Sequence, residues 1–356
     1  MLLGQFLGKY SNRTFVVAEV SGNHAGNIDN CIQLIHAAKY AGADAVKFQT
    51  YTPDTLTLNS DSEDFLIPPQ SPWSTYVNQF SLYSEAHTPW QWHPELFKIA
   101  SDLGLIPFSS PFDESAVDFL ETLGCPIYKL ASPEINHIPL IRKIAKTGKP
   151  IIISLGVATE SELEKAVEVF SSNSSAEIAI LQCDTNYPAD PENANLNQLD
   201  YLKKKFGKII GYSDHTLGST SALVAVALGA RIIEKHIRIE SSDDSPDSFF
   251  STEREDFKHM VHEIRKVEKL FGGKVFRQQP NSKDFSIRRS IYPARDLTKG
   301  EMITTDSLKI VRPGYGISPE LLADLQGRKV NRNVLKGERI TLEDFEVQNP
   351  QGLGNK

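Results

Sequence analysis

A (β/α)8 barrel carrying a small β-rich C-terminal module is the fold class this sequence predicts, on three observations. Eight short runs rich in Val, Ile, Ala and Phe recur along the chain, eight amphipathic stretches alternate with them, and the rhythm stops after Gly273. Repeated strand–helix units with short connections favour a closed parallel barrel over an open sheet.

The strands are expected at 14–20, 45–51, 106–112, 126–132, 150–156, 178–184, 208–214 and 231–239, most of them apolar on both faces, as a parallel sheet covered by helices requires. The helices are expected at 30–40, 94–103, 114–123, 140–147, 160–171, 196–206, 220–228 and 254–271, with Gly42, Gly104, Gly124, Gly148, Gly207, Gly229 and Gly272 as C-terminal caps. One connection breaks the pattern. Residues 52–89 are too long for an idle loop, follow the second strand and are expected to cover the barrel mouth.

Beyond the barrel, Leu297-Thr-Lys-Gly-Glu-Met-Ile-Thr304 recurs as Leu335-Lys-Gly-Glu-Arg-Ile-Thr341. Two Lys-Gly-Glu turns, each entering a short β segment, suggest a compact module with pseudo-symmetric halves. The domains are therefore expected at 1–273 (barrel), 274–283 (linker) and 284–347 (module), with a flexible tail at 348–356.

With 356 residues, 40% of them hydrophobic and 23% charged, the chain has the composition of an ordinary globular protein with a sizeable core. Its net charge of −7 argues against a nucleic-acid binder, so an anionic substrate would need a locally basic pocket. No segment approaches the roughly 20 apolar residues of a membrane span, and the N-terminus lacks a signal-peptide pattern. Cys31, Cys125 and Cys183, odd in number and widely spaced, suit reduced thiols. The expectation is a cytoplasmic protein without membrane or nucleic-acid partners.

In a barrel of this class the reactive groups stand at the C-terminal ends of strands. Those positions hold Glu19 in Ala-Glu-Val-Ser-Gly-Asn-His, Lys47 in Ala-Val-Lys-Phe-Gln-Thr, then Ser109, Ser110, Lys129, Ser132, Glu134 and Ser154. Two lysines buried among hydroxyls suggest a pocket for a phosphate with a carboxylate; two structural ion pairs are the competing reading. His215 in Tyr-Ser-Asp-His-Thr and His236 in Ile-Glu-Lys-His end neighbouring strands and could converge on one metal, Mn, Fe, Co or Zn, although two such histidines also read as satisfied core or loop residues. Glu19 and Glu134 are the acid/base candidates, while Glu234 is expected to pair with a lysine. Asp247 reads as a holder of a metal-bound water or as a solvated loop carboxylate, and Cys183 as a packing residue. Trp90, Trp92, His87 and His93 read equally as an apolar lid or as a loop folded back on the barrel.

Together, Ala-Glu-Val-Ser-Gly-Asn-His, Ala-Gly-Ala-Asp-Ala-Val-Lys-Phe-Gln, Tyr-Ser-Asp-His-Thr-Leu-Gly and Ile-Glu-Lys-His resemble the sialic acid synthase family. Arg312-Pro-Gly-Tyr-Gly316 and the paired turns resemble that family's antifreeze-like (SAF) cap, and the segments at 49–58 and 82–93 resemble its pseudaminic acid synthase branch. The chain departs from the branch pattern at Pro133, Leu155 and Val157, which leaves the charged groups in place.

The resemblance implies condensation of phosphoenolpyruvate with an amino-sugar aldehyde, 2,4-diacetamido-2,4,6-trideoxy-altrose in the branch, with phosphate released by C–O cleavage. The acceptors that lead to N-acetylneuraminic or legionaminic acid are the alternatives. It implies phosphoenolpyruvate binding by Lys47, Ser110, Lys129, Ser132, Ser154, Thr185, Tyr187 and Ser213, and sugar binding by Glu19, Tyr51 and Arg312. It further implies Mn2+, or else Mg2+ or Co2+, on His215 and His236, with Glu134 as proton-transfer partner and Glu19 and Asp247 positioning the sugar and a metal-bound water. Family members are domain-swapped dimers, so Arg312 would serve the partner's barrel. Two readings compete. A non-catalytic sugar-binding protein has little reason to keep both lysines and both histidines, and a phosphosugar aldolase leaves the module unexplained.

Overall fold

The computed structural model describes residues 13–240, 244–271 and 281–347. The expected cap at Gly272, most of the 274–283 linker and the 348–356 tail lie outside them. The chain divides into two compact units, Met1–Gly272 and Gly273–Lys356.

In the first unit eight parallel strands form a closed barrel: β1 (Phe15–Glu19), β2 (Ala45–Thr50), β3 (Ile106–Pro111), β4 (Tyr128–Leu130), β5 (Ile151–Ser154), β6 (Ile178–Cys183), β7 (Ile209–Asp214) and β8 (Ile232–Arg238). Each pairs with the next, and β1 pairs back onto β8 from Phe15↔Ile232 to Glu19↔His236. All eight expected strands are present, trimmed only at their ends. A two-residue strand, β9 (Thr252–Glu253), adds onto the end of β8.

The eight expected helices are present too, from Ile28–Ala41 to Arg254–Leu270. Each turns one apolar stripe to the sheet: in Ile138–Lys146 the buried residues are Leu140, Ile141, Ile144 and Ala145, at helical spacing. Ile28–Ala41 and Gln198–Phe206 end at Gly42 (φ 83°) and Gly207 (φ 60°), left-handed positions that only glycine occupies without strain.

The strand period of two divides each strand end between the barrel lumen and the helix layer. On β7 and β8, Ser213, His215, Glu234 and His236 line the central cavity, whereas the intervening Asp214 and Lys235 point the other way. Lys235 Nζ lies 2.8 Å from Asp214 Oδ2 and 2.6 Å from the carbonyl of Thr216, a buried cross-strand link that fixes the register of the two histidine-bearing strands. Ser109 likewise faces away from the cavity and hydrogen-bonds to Thr50 (2.6 Å) and the carbonyl of Phe48 (2.9 Å), so it is no part of the expected anion pocket.

The 52–89 insertion folds into two short helices, Pro53–Leu56 and Gln79–Ala86, with a bridge between Leu66 and Asn78. The second helix starts at a capping box in which Asn78 accepts from Ser81 N (2.9 Å) and Ser81 covers Asn78 N. No helix among the described residues is long and apolar enough to cross a membrane.

The second unit has its own core, including Ile291, Leu297, Leu325, Val330 and Phe345. β10 (Ser290–Pro293) and β11 (Leu308–Val311) pair antiparallel. The two Lys-Gly-Glu turns are built alike: Glu301 accepts from Thr298 N (2.9 Å) and pairs with Arg295, and Glu338 accepts from Leu335 N (2.8 Å) and pairs with Arg332. A bridge between Leu297 and Val334 joins the halves.

Candidate active site

A cavity of about 240 Å³ opens at the C-terminal ends of the strands, where this barrel architecture places reactive groups. Its floor follows from strand register. Glu19 on β1 stands level with Lys47 on β2 and His236 on β8, Gln49 stands level with Ser110 on β3, and Ser213 on β7 is level with Glu234 on β8.

These groups form one buried network. Lys47 Nζ is 2.8 Å from Glu19 and 3.6 Å from Glu234, and Lys129 Nζ is 3.4 Å from the same Glu234 oxygen, which also accepts from Ser213 Oγ at 3.1 Å. Glu234 thus pairs with both lysines, so the ion pairs form among the residues expected to make the anion pocket. Burial disfavours the Glu234 carboxylate, but Lys129 and Lys47 overcome it and hold the group at about 2. Lys129, whose burial outweighs the pull of Glu234, is held below the usual lysine range, whereas for Lys47 two carboxylates outweigh burial and raise it. Burial raises Glu19 against the opposing charge of Lys47.

An arc of hydrogen bonds leads from this network to the rim. Gln49 donates to Glu19 (3.0 Å) and Ser21 (2.9 Å), and Asp247 accepts from Ser21 Oγ and from Gly22 N (3.1 Å). Asp247 is therefore fixed in the cavity wall rather than solvated, with its carboxyl raised by burial. Glu134 follows β4 on a short 3-10 turn, and burial lifts it to about 7 despite the nearby Lys129. Its Oε2 is buried without a hydrogen-bond partner.

His215 and His236 converge, with ring centroids 5.3 Å apart. Burial holds His215 at about 4 and His236 well below its usual value, so both rings are neutral at pH 7 and available as ligands. His215 donates from Nδ1 to the carbonyl of Asp184 (2.6 Å), which orients the ring and leaves its other nitrogen free to ligate. Nδ1 of His236 is buried without a partner. Two converging neutral imidazoles fit an ion that keeps its other positions open for water and substrate. Cys183 lines the cavity 3.7 Å from His215 Nδ1, but that nitrogen is committed to Asp184, and burial pushes the thiol up to about 12, far from a nucleophilic thiolate. Cys31, Cys125 and Cys183 are all free and buried.

Most of the expected site residues line this cavity: Glu19, Lys47, Tyr51, Ser110, Lys129, Ser132, Ser154, Tyr187, Ser213, His215, His236 and Asp247. Glu134 follows two lining residues, Ser132 and Pro133, in the same turn, whereas Thr185 is outside the lining set and stands beside Gly156. Arg312 lies in the second unit, where it lines a separate cavity with Lys309 and Lys336.

The insertion covers the cavity as expected, and of the two readings open for Trp90, Trp92, His87 and His93 the structure takes the fold-back one. His93 is fully buried and hydrogen-bonds to Thr50 (2.9 Å), Trp92 packs edge-on against His24, and Trp90 stacks on Phe119. Together with His87, which sits against Tyr51 outside the lining, this cluster folds the insertion back onto the barrel and contributes no lid over the cavity. The roof is made instead by Trp73, Leu82, Tyr83 and Ala86. Trp73 donates to the carbonyl of Pro246 (2.7 Å) and meets Tyr187 and Phe249 edge-on, tying the insertion to the loop that carries Asp247. Sequence reasoning missed these four and Gln49; the i, i+4 spacing of Leu82 and Ala86 was the one local signal available.

Comparison with known proteins agrees with this architecture. The NeuB family matches residues 34–276 and the SAF domain matches 288–346. A pseudaminic acid synthase of Campylobacter jejuni subsp. jejuni serotype O:2 is 41% identical over 97% of this chain and 100% of its own length, and one of Helicobacter pylori is 39% identical over 93% and 97%. Among solved structures, the N-acetylneuraminic acid synthetase of Leptospira borgpetersenii serovar Hardjo-bovis in complex with citrate superposes with a TM-score of 0.67 at 29% identity, covering 76% of this chain and 89% of that one. The barrel, its strand-end residues and these similarities agree: the chain belongs to the NeuB family and ends in a SAF domain.

Proposed function

We propose that this chain catalyses the pseudaminic acid synthase reaction, condensing phosphoenolpyruvate with 2,4-diacetamido-2,4,6-trideoxy-altrose to a nine-carbon 2-keto acid and phosphate. The observation that carries the reading is one cavity in which two buried lysines and a set of hydroxyls face two neutral histidines, in a chain so similar to pseudaminic acid synthases over its whole length.

Lys47 and Lys129, with Ser110, Ser132, Ser154 and Ser213, would hold the phosphate and carboxylate of phosphoenolpyruvate, with Thr185 and Tyr187 at the margin of that subsite. His215 and His236 would hold a divalent cation, Mn2+ in our reading, with Mg2+ and Co2+ as substitutes. When bound, the ion supplies Lewis-acid polarisation of the sugar aldehyde. C3 of phosphoenolpyruvate attacks the aldehyde carbon, and water adds at C2, where positive charge develops. Glu134, poised near neutrality, takes the proton from that water and passes it to the aldehyde oxygen. The C2–O bond to phosphate then breaks, the departing phosphate carries away the proton of the C2 hydroxyl, and the ketone forms. Glu19 and Asp247, joined through Gln49 and Ser21, fix the sugar, with Tyr51 beside them.

The same proposal makes the functional unit a domain-swapped dimer in which one chain's C-terminal module brings Arg312 to the other's sugar. Phosphate release by the full chain with phosphoenolpyruvate and Mn2+ tests the function. Turnover is expected to be fastest with the trideoxy diacetamido sugar, and faster release with N-acetylmannosamine would refute the reading.

A further inference from the structure

The cavity walls divide sharply by chemistry. Its floor is charged and hydrogen-bonded, whereas the insertion helix Gln79–Ala86 closes it with Leu82 and Ala86, one turn apart on the same face and both partly exposed. Tyr51, against Phe112 (5.1 Å between centroids) and Tyr83 (5.8 Å) in edge-on contacts, continues this apolar surface. The helix is already in close contact with the cavity wall. A Cβ at Gly22 would lie 3.3 Å from Ala86 Cβ and 3.4 Å from Asp247 Oδ2, so Ala86 already sits against the backbone that holds Asp247.

We propose that Leu82 and Ala86 determine which sugar the enzyme accepts, by presenting a surface without hydrogen-bonding groups to the methyl-bearing part of the acceptor. The inference rests on the reaction proposed above and adds the residues that select its substrate. N-acetylmannosamine carries hydroxyls at C4 and C6, where the trideoxy sugar carries an acetamido group and a methyl. A hydroxyl pressed onto Leu82 leaves water and gains no partner, while a methyl there gains apolar contact. Because an apolar surface rejects an added hydroxyl only moderately, the selectivity it supplies is of order 100-fold.

The test is steady-state phosphate release by the full chain, with the wild type, Leu82→Asn, Ala86→Ser and the conservative Leu82→Met compared on the two sugars at saturating phosphoenolpyruvate. Leu82→Asn is expected to lower the kcat/KM ratio of trideoxy sugar to N-acetylmannosamine by about 10–100-fold. Ala86→Ser shifts the ratio the same way by less, Leu82→Met keeps it, and KM for phosphoenolpyruvate stays within about twofold in all three. An unchanged ratio in Leu82→Asn, or equal losses on both sugars, overturns the assignment. The wild-type ratio judges the proposed reaction separately: preference for N-acetylmannosamine refutes that reaction whatever the variants do, and absence of turnover with the trideoxy sugar overturns both.

Discussion

The floor and the roof of the cavity are built by different physics. Floor residues hang from strand ends whose register is set by a ladder of backbone hydrogen bonds, so Glu19, Lys47, Ser213, Glu234 and His236 meet because their strands pair. The roof comes from an insertion held by a capped helix, aromatic contacts and the Trp73 indole hydrogen bond. A rigid floor suits chemistry, where small displacements of reacting groups are costly, and a surface carried by a loop suits selection, because it can change without disturbing the barrel. Substitutions at the lysines, hydroxyls and histidines of the floor should therefore change phosphoenolpyruvate handling or the chemical step, and substitutions in the roof should change sugar use alone.

The largest effect is expected at His236. His236→Ala removes one of two imidazoles and should lower kcat by at least about 1,000-fold, while phosphoenolpyruvate affinity, which the proposed site assigns to the lysines and hydroxyls, should stay within a few-fold. Calorimetric titration of the metal-free protein with Mn2+ gives a readout independent of turnover: binding should be lost in the variant. Full activity of the wild type under exhaustive chelation, or unchanged Mn2+ binding in the variant, would remove the metal from the floor.

Glu134→Gln comes next, with kcat lower by about 100-fold or more. In the proposed mechanism the carboxylate form takes the proton, so kcat should rise with pH through about 7, and this limb should be absent from the variant. Stability moves in the opposite sense. The folded protein raises Glu134 from 4.5 to about 7, so it favours the neutral acid; stability is full below the ordinary glutamate range and declines as pH rises through about 7. The whole loss is at most about 3 kcal/mol, of which about 1.4 kcal/mol falls between pH 6 and pH 8.5, and urea unfolding at those two pH values should show that smaller difference in the wild type and not in Glu134→Gln. A flat wild-type profile in both measurements would contradict the buried, unpartnered carboxyl.

Legibility from sequence follows the same division. The barrel could be read because eight apolar runs at regular spacing carry their period locally, and the floor because a lysine or glutamate inside such a run demands a partner across the lumen. The shared carboxylate could be read only in part: pairing of Glu234 with a lysine is implied by its surroundings, but contact with both Lys47 and Lys129 depends on the closure of β1 onto β8. That the insertion covers the barrel mouth could be read; which of its residues do so could not. Trp73 inside the polar insertion and Trp90, Trp92 and His93 just after it are all aromatic, and which of them packs inward is decided by distant partners such as Phe119, His24 and the carbonyl of Pro246. No spacing within 52–89 encodes those partners.

The smallest effect isolates the tie between roof and floor. Trp73→Phe keeps an aromatic ring for the edge-on contacts with Tyr187 and Phe249 but deletes the donor to Pro246, one residue before Asp247. A neutral hydrogen bond in a partly buried place is worth about 1 kcal/mol, and the freed carbonyl can recover water. The expected result is a loss of about fivefold in kcat/KM for the sugar, with KM for phosphoenolpyruvate unchanged, measured by varying each substrate at saturation of the other. Leu82→Asn changes what the roof selects, whereas Trp73→Phe only loosens how it is held, so its loss should fall equally on both sugars. A selective loss on one sugar would make Trp73 part of the selecting surface, and an equal rise in KM for phosphoenolpyruvate would show that roof and floor are not separable.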